Sequence, residues 1–237
     1  MLLVESPNIY YRALARLLGL FFKLLYNQLA WTYDWVADAV SLGMWLDWVL
    51  AIQPFINIWP VLEIGHGPGH LQLALKQKGV QTFGLDASRQ MGRLALKRLR
   101  RSGYSPSLVN GIAQTLPFSN DTFRSVVSTF PAEFIADPKT LSEIWRVLVP
   151  GGDLYILPIA WITGRRWTER LAAWIFRFTK QSPNIQTTSE GETNLEDWTS
   201  PWLKPIWQIG FRLEVEHLDL KSSTLLIIHA FKQPSGN

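Results

Sequence analysis

The run Trp59-Pro60-Val61-Leu62-Glu63-Ile64-Gly65-His66-Gly67-Pro68-Gly69-His70 constrains this chain more than any other segment. Its apolar part is too short for a helix and reads as a buried strand. Three alternating glycines end it, and residues 69–78 follow as a helix closed by Gly79. A buried strand needs strand neighbours on both edges and helices on both faces. The sequence supplies them in order: a strand over Val80–Asp86, a basic helix over 88–101 closed by Gly103, and a short strand near 107–110. A strand at 124–130, a helix at 138–148 and a strand at 152–159 complete the series, with Pro150-Gly151-Gly152 as the turn before the last strand. This alternation predicts an α/β, doubly wound parallel sheet. Two β-rich runs, Phe211–Leu220 and Ser223–Lys232, end the chain as an antiparallel hairpin around Lys221-Ser222.

At 237 residues the chain is long for one domain and short for two, so residues 1–237 are expected to form a single domain with extensions. One extension is an N-terminal helical cap over 1–57, made of a helix at 8–30 and another at about 31–52. The other is a lid-like insertion over 160–209. It holds a basic, Trp-containing helix at 162–180, an acidic loop at 181–197 and a Pro-interrupted helix at about 199–209.

Composition excludes several classes of function. The chain has no cysteine, which removes disulfides, thiolate metal sites and cysteine nucleophiles, and no His and acid set shows metal-ligand spacing. The apolar face of the first helix is interrupted by Lys23 and falls short of the roughly 20 residues needed to span a bilayer. No basic stretch precedes an apolar one at the start, so a cytoplasmic location is expected. Arg89, Arg93, Lys97, Arg98, Arg100 and Arg101 form one basic group, and Arg165, Arg166, Arg170, Arg177 and Lys180 a second. Basic helices of this kind read as solvated faces, neither carries the aromatic signature of a recognised RNA module, and no nucleic-acid partner is expected.

The glycine loop carries the chemistry. Gly65, Gly67 and Gly69 let the backbone pass close to a ligand and present N–H groups at a helix N-terminus. Dinucleotide sites want a further glycine where His70 stands, and Glu63 at the strand end suits a ligand with an amino group and a cation better than a pyrophosphate. Asp86 ends the next strand, where a carboxylate can accept both hydroxyls of a ribose; Ser88 can cap the following helix and leave Asp86 free.

Four segments come in order: Glu63 with the glycine loop, Leu85-Asp86-Ala87-Ser88-Arg89-Gln90-Met91, Asn110-Gly111-Ile112-Ala113-Gln114-Thr115-Leu116-Pro117-Phe118, and Glu143 to Gly152. Together they resemble the successive motifs of class I S-adenosylmethionine-dependent methyltransferases over residues 59–160. Tyr26 to Asp34, continuing to Ser41-Leu42-Gly43, is similar to the N-terminal motif of the ubiquinone/menaquinone biosynthesis branch, and the chain reads as methyltransferase type 11-like.

The resemblance implies a Rossmann-like seven-stranded sheet of order 3-2-1-4-5-7-6 and S-adenosylmethionine as cofactor. It places Glu63 near the methionine amino group, Gly65, His66, Gly67, Pro68 and Gly69 against the methionine and ribose, and Asp86 with Ala87 at the ribose. Met91 is expected near the adenine face, with Gly111, Ile112, Ala113 and Gln114 around the ring and Thr129 and Phe130 at the strand end. Tyr26 and Tyr33 are candidates to close over the cofactor, with core packing the alternative. Ile112 stands where the family usually has an acid toward the adenine amino group, and Gln114 is a candidate substitute. Arg124 stands where an Asp is usual.

Methyl transfer from a sulfonium depends mostly on alignment, so a large catalytic set is not required. Glu133 is the candidate base or acceptor-orienting group, with an exposed helix-start acid the alternative, and His66 is a second candidate proton acceptor. The segments around Leu20-Phe21-Phe22-Lys23 and Trp161–Phe176 are apolar and aromatic with basic residues interspersed. They point to a small apolar or amphipathic acceptor, quinone-like or lipid-like, reached by peripheral membrane contact, unless these side chains only pack a lid onto the sheet. The alternative function is a non-catalytic S-adenosylmethionine-binding or regulatory protein on the same fold.

Overall fold

In the computed structural model, Val61–Ile64 (β1) is buried at all four positions, as a central strand covered on both faces must be. The structure describes residues 33–163 and 203–233. In chain order these form helices α1 (Tyr33–Val40) and α2 (Trp45–Leu50), a 3-10 turn (Gln53–Phe55), β1, α3 (His70–Gln77), β2 (Thr82–Asp86), α4 (Arg89–Arg101), β3 (Leu108–Asn110) and β4 (Phe123–Thr129). A second 3-10 turn (Glu133–Ala136), α5 (Pro138–Val147), β5 (Leu148–Ile162), α6 (203–209), β6 (Arg212–Leu220) and β7 (Ser223–Phe231) follow. The expected helix at 8–30 and most of the expected lid lie outside the described residues. Among the described residues no helix is long and apolar enough to cross a membrane.

The seven strands form one sheet in the order β3-β2-β1-β4-β5-β7-β6, the order the resemblance implies. The first five are parallel, and β7 inserts antiparallel between β5 and β6. Alternate side chains of β1 serve opposite layers. Leu62 and Ile64 join Phe123, Leu141, Ile144 and Phe211 on the α5 side, whereas Val61 joins Trp48, Ile52, Leu71 and Leu75 on the α2 and α3 side. Trp48 ties α2 to β7 by donating from Nε1 to Ser223 Oγ at 2.8 Å, across 175 residues of sequence.

Three expectations need correction. The helix expected over 31–52 is two helices, because Leu42 and Gly43 take φ of 55° and 79° and Gly43 N–H returns to the Asp38 carbonyl at 2.7 Å. Pro150-Gly151-Gly152 does not precede the strand but lies inside β5 as a bulge. Phe123 pairs with Leu148, Ser125 already pairs with Asp153, and Gly151 turns the chain at φ 76°. β5 also runs on to Ile162, three residues into the expected lid, because 159–162 pair with 223–226 of β7.

Candidate active site

The site is built on the strand ends of β1, β2 and β4. After β1 the backbone turns through Gly65, Gly67 and Gly69 at φ of 74°, 52° and 81°. A Cβ at Gly69 would sit 2.7 Å from Ala95 Cβ, so the loop reaches α4 only because that position is glycine. Arg98 donates to the Pro68 carbonyl and holds the loop from the same helix. A Cβ at Gly67 would meet nothing, so the middle of the loop opens on space. Gly65 lies under the ring of Phe134, carried by the 3-10 turn that follows β4.

Beside the loop lies a small, open cleft lined by Glu63, Gly65, His66, Gly67 and Pro68 together with Trp45, Val49, Leu71 and Thr129. Glu63 is 1% exposed and accepts a hydrogen bond at Oε2 from Gln72 Nε2 at 2.9 Å. Burial pushes its carboxyl up to about 8, against the lowering effect of the Gln72 bond and with a further upward push from Asp86. A buried carboxyl of this kind matches a ligand bearing an ammonium group, whose charge would replace the missing water.

Asp86 is not left free as expected. Ser88 does cap α4, its Oγ accepting from Met91 N–H, but Asp86 Oδ1 accepts from Ser88 N–H at 2.7 Å and Oδ2 from Gly67 N–H at 2.8 Å. The carboxylate thus ties the glycine loop to the end of β2. Each oxygen keeps a second lone pair, which is what a ribose diol needs. Asn110, at the end of β3, donates to the Asp86 and Ala87 carbonyls at 2.8 and 3.0 Å and fixes the same corner. Ala87 is exposed beside it.

The remaining candidates divide. Thr129 reaches the cleft. Phe130 takes φ 48°, an uncommon conformation for a non-glycine residue, and its ring lies tilted against Trp45 with centroids 4.7 Å apart. Gly111 continues from β3 with its N–H on the Asp86 carbonyl, Ala113 is buried, and Ile112 is 53% exposed. Gln114 is not turned toward an adenine position; its amide donates to Asp137 Oδ2 at 3.0 Å, at the cap of α5. Met91 is fully buried under Val36, Ala37 and Trp45, so α1 and α2 cover the face it was expected to offer.

His66, the second candidate proton acceptor, stands in the lining of the cleft. It is 4% exposed, donates from Nδ1 to the Gly67 carbonyl at 2.8 Å, and is held below its ordinary value by burial. That arrangement braces the loop. Glu133 opens the 3-10 turn after β4, Tyr33 opens α1, and Tyr26 lies outside the described residues.

Sequence reasoning missed Trp45, Val49, Gln72, Asn110 and Phe134. Gln72 was readable as the one polar residue on the otherwise apolar face of α3 that carries Leu71 and Leu75. The fold also gathers Glu214, Glu216 and His229 on the hairpin, with ligand-capable atoms within 4.8 Å of one another, which linear spacing did not display. His229 bonds Asp153 at 2.8 Å there, near the start of the straight part of β5 and at the opposite end of that strand from the one beside the cleft.

The family model described as a methyltransferase domain matches residues 61–152, from β1 through the bulge of β5. The chain is 32% identical over 154 residues to the ubiquinone/menaquinone biosynthesis C-methyltransferase of Blochmanniella floridana, a match covering 61% of this chain and 60% of that protein's length. In structure it is similar to a SAM-dependent methyltransferase of Methanosarcina mazei, with TM-score 0.51 and 23% identity over 74% of this chain and 92% of that one. It is also similar to phosphoethanolamine N-methyltransferase 2 of Haemonchus contortus, solved with phosphomonomethylethanolamine and S-adenosylhomocysteine, with TM-score 0.55 and 18% identity over 81% of this chain and 53% of that one. The structural likeness carries the fold, and the matched sequence motifs sit on the glycine loop and strand ends described above. Over residues 61–152 the chain matches a methyltransferase domain, and there it is similar to class I S-adenosylmethionine-dependent methyltransferases.

Proposed function

We propose that this protein transfers the methyl group of S-adenosylmethionine to a small, apolar, quinone-like acceptor. The observation that carries the reading is a cleft where a buried carboxyl meets an open glycine loop, with the Asp86 carboxylate bonded to that loop at Gly67. Glu63 would hold the cofactor's amino group, Gly65 to Gly69 its methionine and ribose, and Asp86 the ribose hydroxyls. Gly111, Ile112 and Ala113 would border the adenine. When bound, S-adenosylmethionine supplies an electrophilic methyl group on a sulfonium. The chain's own part is to bind, align and exclude water.

The apolar wall of Trp45 and Val49, continued by Phe130, supports an apolar acceptor, and Thr129 offers a hydroxyl to orient it. Glu133, at the start of the 3-10 turn after β4, is the acid we assign to receive the acceptor's proton. The named relative in quinone biosynthesis supports a C-methylated ring as acceptor class. Contact with a membrane surface is part of the same proposal, since such an acceptor partitions into lipid.

Calorimetric titration with S-adenosylmethionine and, in parallel, NAD tests the cofactor. Labelled methyl transfer to a demethylated quinol tests the acceptor, and co-sedimentation with anionic vesicles tests the membrane contact. Binding of S-adenosylmethionine but not NAD, with transfer abolished in Glu133→Gln, is expected. Failure to bind S-adenosylmethionine refutes the enzyme, and binding without transfer to any quinol refutes the acceptor class.

A further inference from the structure

Gln72 lies on α3 between the buried faces of Leu71 and Leu75, and it is fully buried itself. Its Nε2 donates to Glu63 Oε2 at 2.9 Å and to the Phe83 carbonyl at 3.1 Å, while its Oε1 is buried without a hydrogen-bond partner. For the fold alone this is a poor choice. A buried amide with half its hydrogen bonding unmade is less favourable than an apolar side chain of the same shape. An orphaned carbonyl oxygen and two bonds made by one nitrogen point to the orientation of a single carboxyl group as what the amide is for.

We propose that Gln72 is a positioning residue for cofactor binding: it holds one oxygen of Glu63 so that the other meets the amino group of S-adenosylmethionine. The proposal rests on the cofactor reading above. Phe83 belongs to β2 and Glu63 to β1, so the shared nitrogen fixes the carboxyl plane relative to two strands. Gln72 is neutral and meets Glu63 through its N–H donor, so it favours the ionised carboxyl without neutralising it for an incoming cation. Without that donor, Glu63 would ionise at a still higher pH.

The test uses Gln72→Met, which keeps the unbranched shape, and Gln72→Leu. Each is titrated with S-adenosylmethionine and with 5′-methylthioadenosine, which lacks the amino-acid end, across neutral to alkaline pH, with thermal melts alongside. Both variants should melt at or above the wild type and bind methylthioadenosine normally. At neutral pH they should bind S-adenosylmethionine about tenfold to a hundredfold more weakly, the range for a lost bond to a charged group. The deficit should narrow at alkaline pH, where Glu63 ionises regardless. Equal weakening of both ligands, a loss independent of pH, or a lowered melt in both variants would overturn the proposal, since each would mark Gln72 as a prop for the loop or the fold. Unchanged affinity for S-adenosylmethionine would overturn it directly. A wild type that does not bind S-adenosylmethionine refutes the cofactor reading and this inference with it, whereas a wild type that binds it beside variants that give one of these overturning results refutes this inference alone.

Discussion

Glu63→Gln should make the protein more stable and, at the same time, unable to hold its cofactor. In the folded chain the Glu63 carboxyl stays protonated up to about 8, because burial removes the water that would solvate its charge, whereas the unfolded chain ionises it near 4.5. The sign follows from proton linkage. Between those two values the unfolded state releases a proton that the folded state keeps, so stability falls as pH rises, by ~1.4 kcal/mol per pH unit. The contribution of the protonated carboxyl is complete below 4.5 and lost by about 8. The accumulated penalty has a ceiling of about 5 kcal/mol, a large share of a typical domain's stability. A glutamine at this position keeps an acceptor for Gln72 Nε2 at the same place and does not titrate. Urea unfolding of wild type and variant, at fixed ionic strength and without cofactor, should give curves that coincide near pH 4.5 and diverge toward pH 8, with the variant ahead. Saturating S-adenosylmethionine should restore the wild type, because ligand that binds only the folded state stabilises it, and leave the variant unmoved. Parallel pH curves for the two proteins would refute the reasoning, since they would show that Glu63 is ionised, and compensated, in the folded protein without ligand.

Other sites give simpler expectations. Asp86→Ala removes the acceptor for Gly67 N–H and Ser88 N–H as well as the candidate ribose contact, so calorimetry should show S-adenosylmethionine binding weaker by ~1.5–3 kcal/mol, with a lowered melt. An unchanged dissociation constant would move the ribose elsewhere. Gly69→Ala places a Cβ 2.7 Å from Ala95 Cβ at a φ of 81° and should destabilise by at least about 1–3 kcal/mol in denaturant titration. Adding Ala95→Gly should recover only part of that loss, because the backbone conformation is still strained. Ser88→Ala removes the α4 cap and should cost about 0.5–2 kcal/mol of stability, with loss of helical circular dichroism limited to the melt itself.

The sheet was largely legible in the sequence because strand and helix periodicity are local signals. Val61–Ile64, Thr82–Asp86 and Phe123–Thr129 lie within a few residues of their expected spans, and the final hairpin pairs as expected around 221–222. Errors came where one residue's backbone overrides the local pattern. Leu42 and Gly43 split a helix whose apolar spacing looked continuous. Pro150 to Gly152 carry a turn's chemistry, but pairing with β4 on one side and β7 on the other draws them into the strand as a bulge.

The site was legible only along the chain. Glycines at 65, 67 and 69, an acid before them and an acid at the next strand end announce a nucleoside-binding loop, because those types at those spacings are needed wherever a backbone approaches such a ligand. Tertiary structure alone decided what each of those acids faces. Gln72 meets Glu63 because α3 folds back over β1; Asp86 closes on Gly67 because β1 and β2 are neighbours in register; Met91 is sealed and Trp45 enters the cleft because α1 and α2 pack over α4. The sequence by itself determined a doubly wound sheet with a closing hairpin and the glycine loop at its strand ends. The protonation of Glu63, the bracing role of His66 and the apolar wall beside the loop arise from contacts between elements distant in sequence, where burial and hydrogen-bond geometry depend on packing and no single segment encodes them.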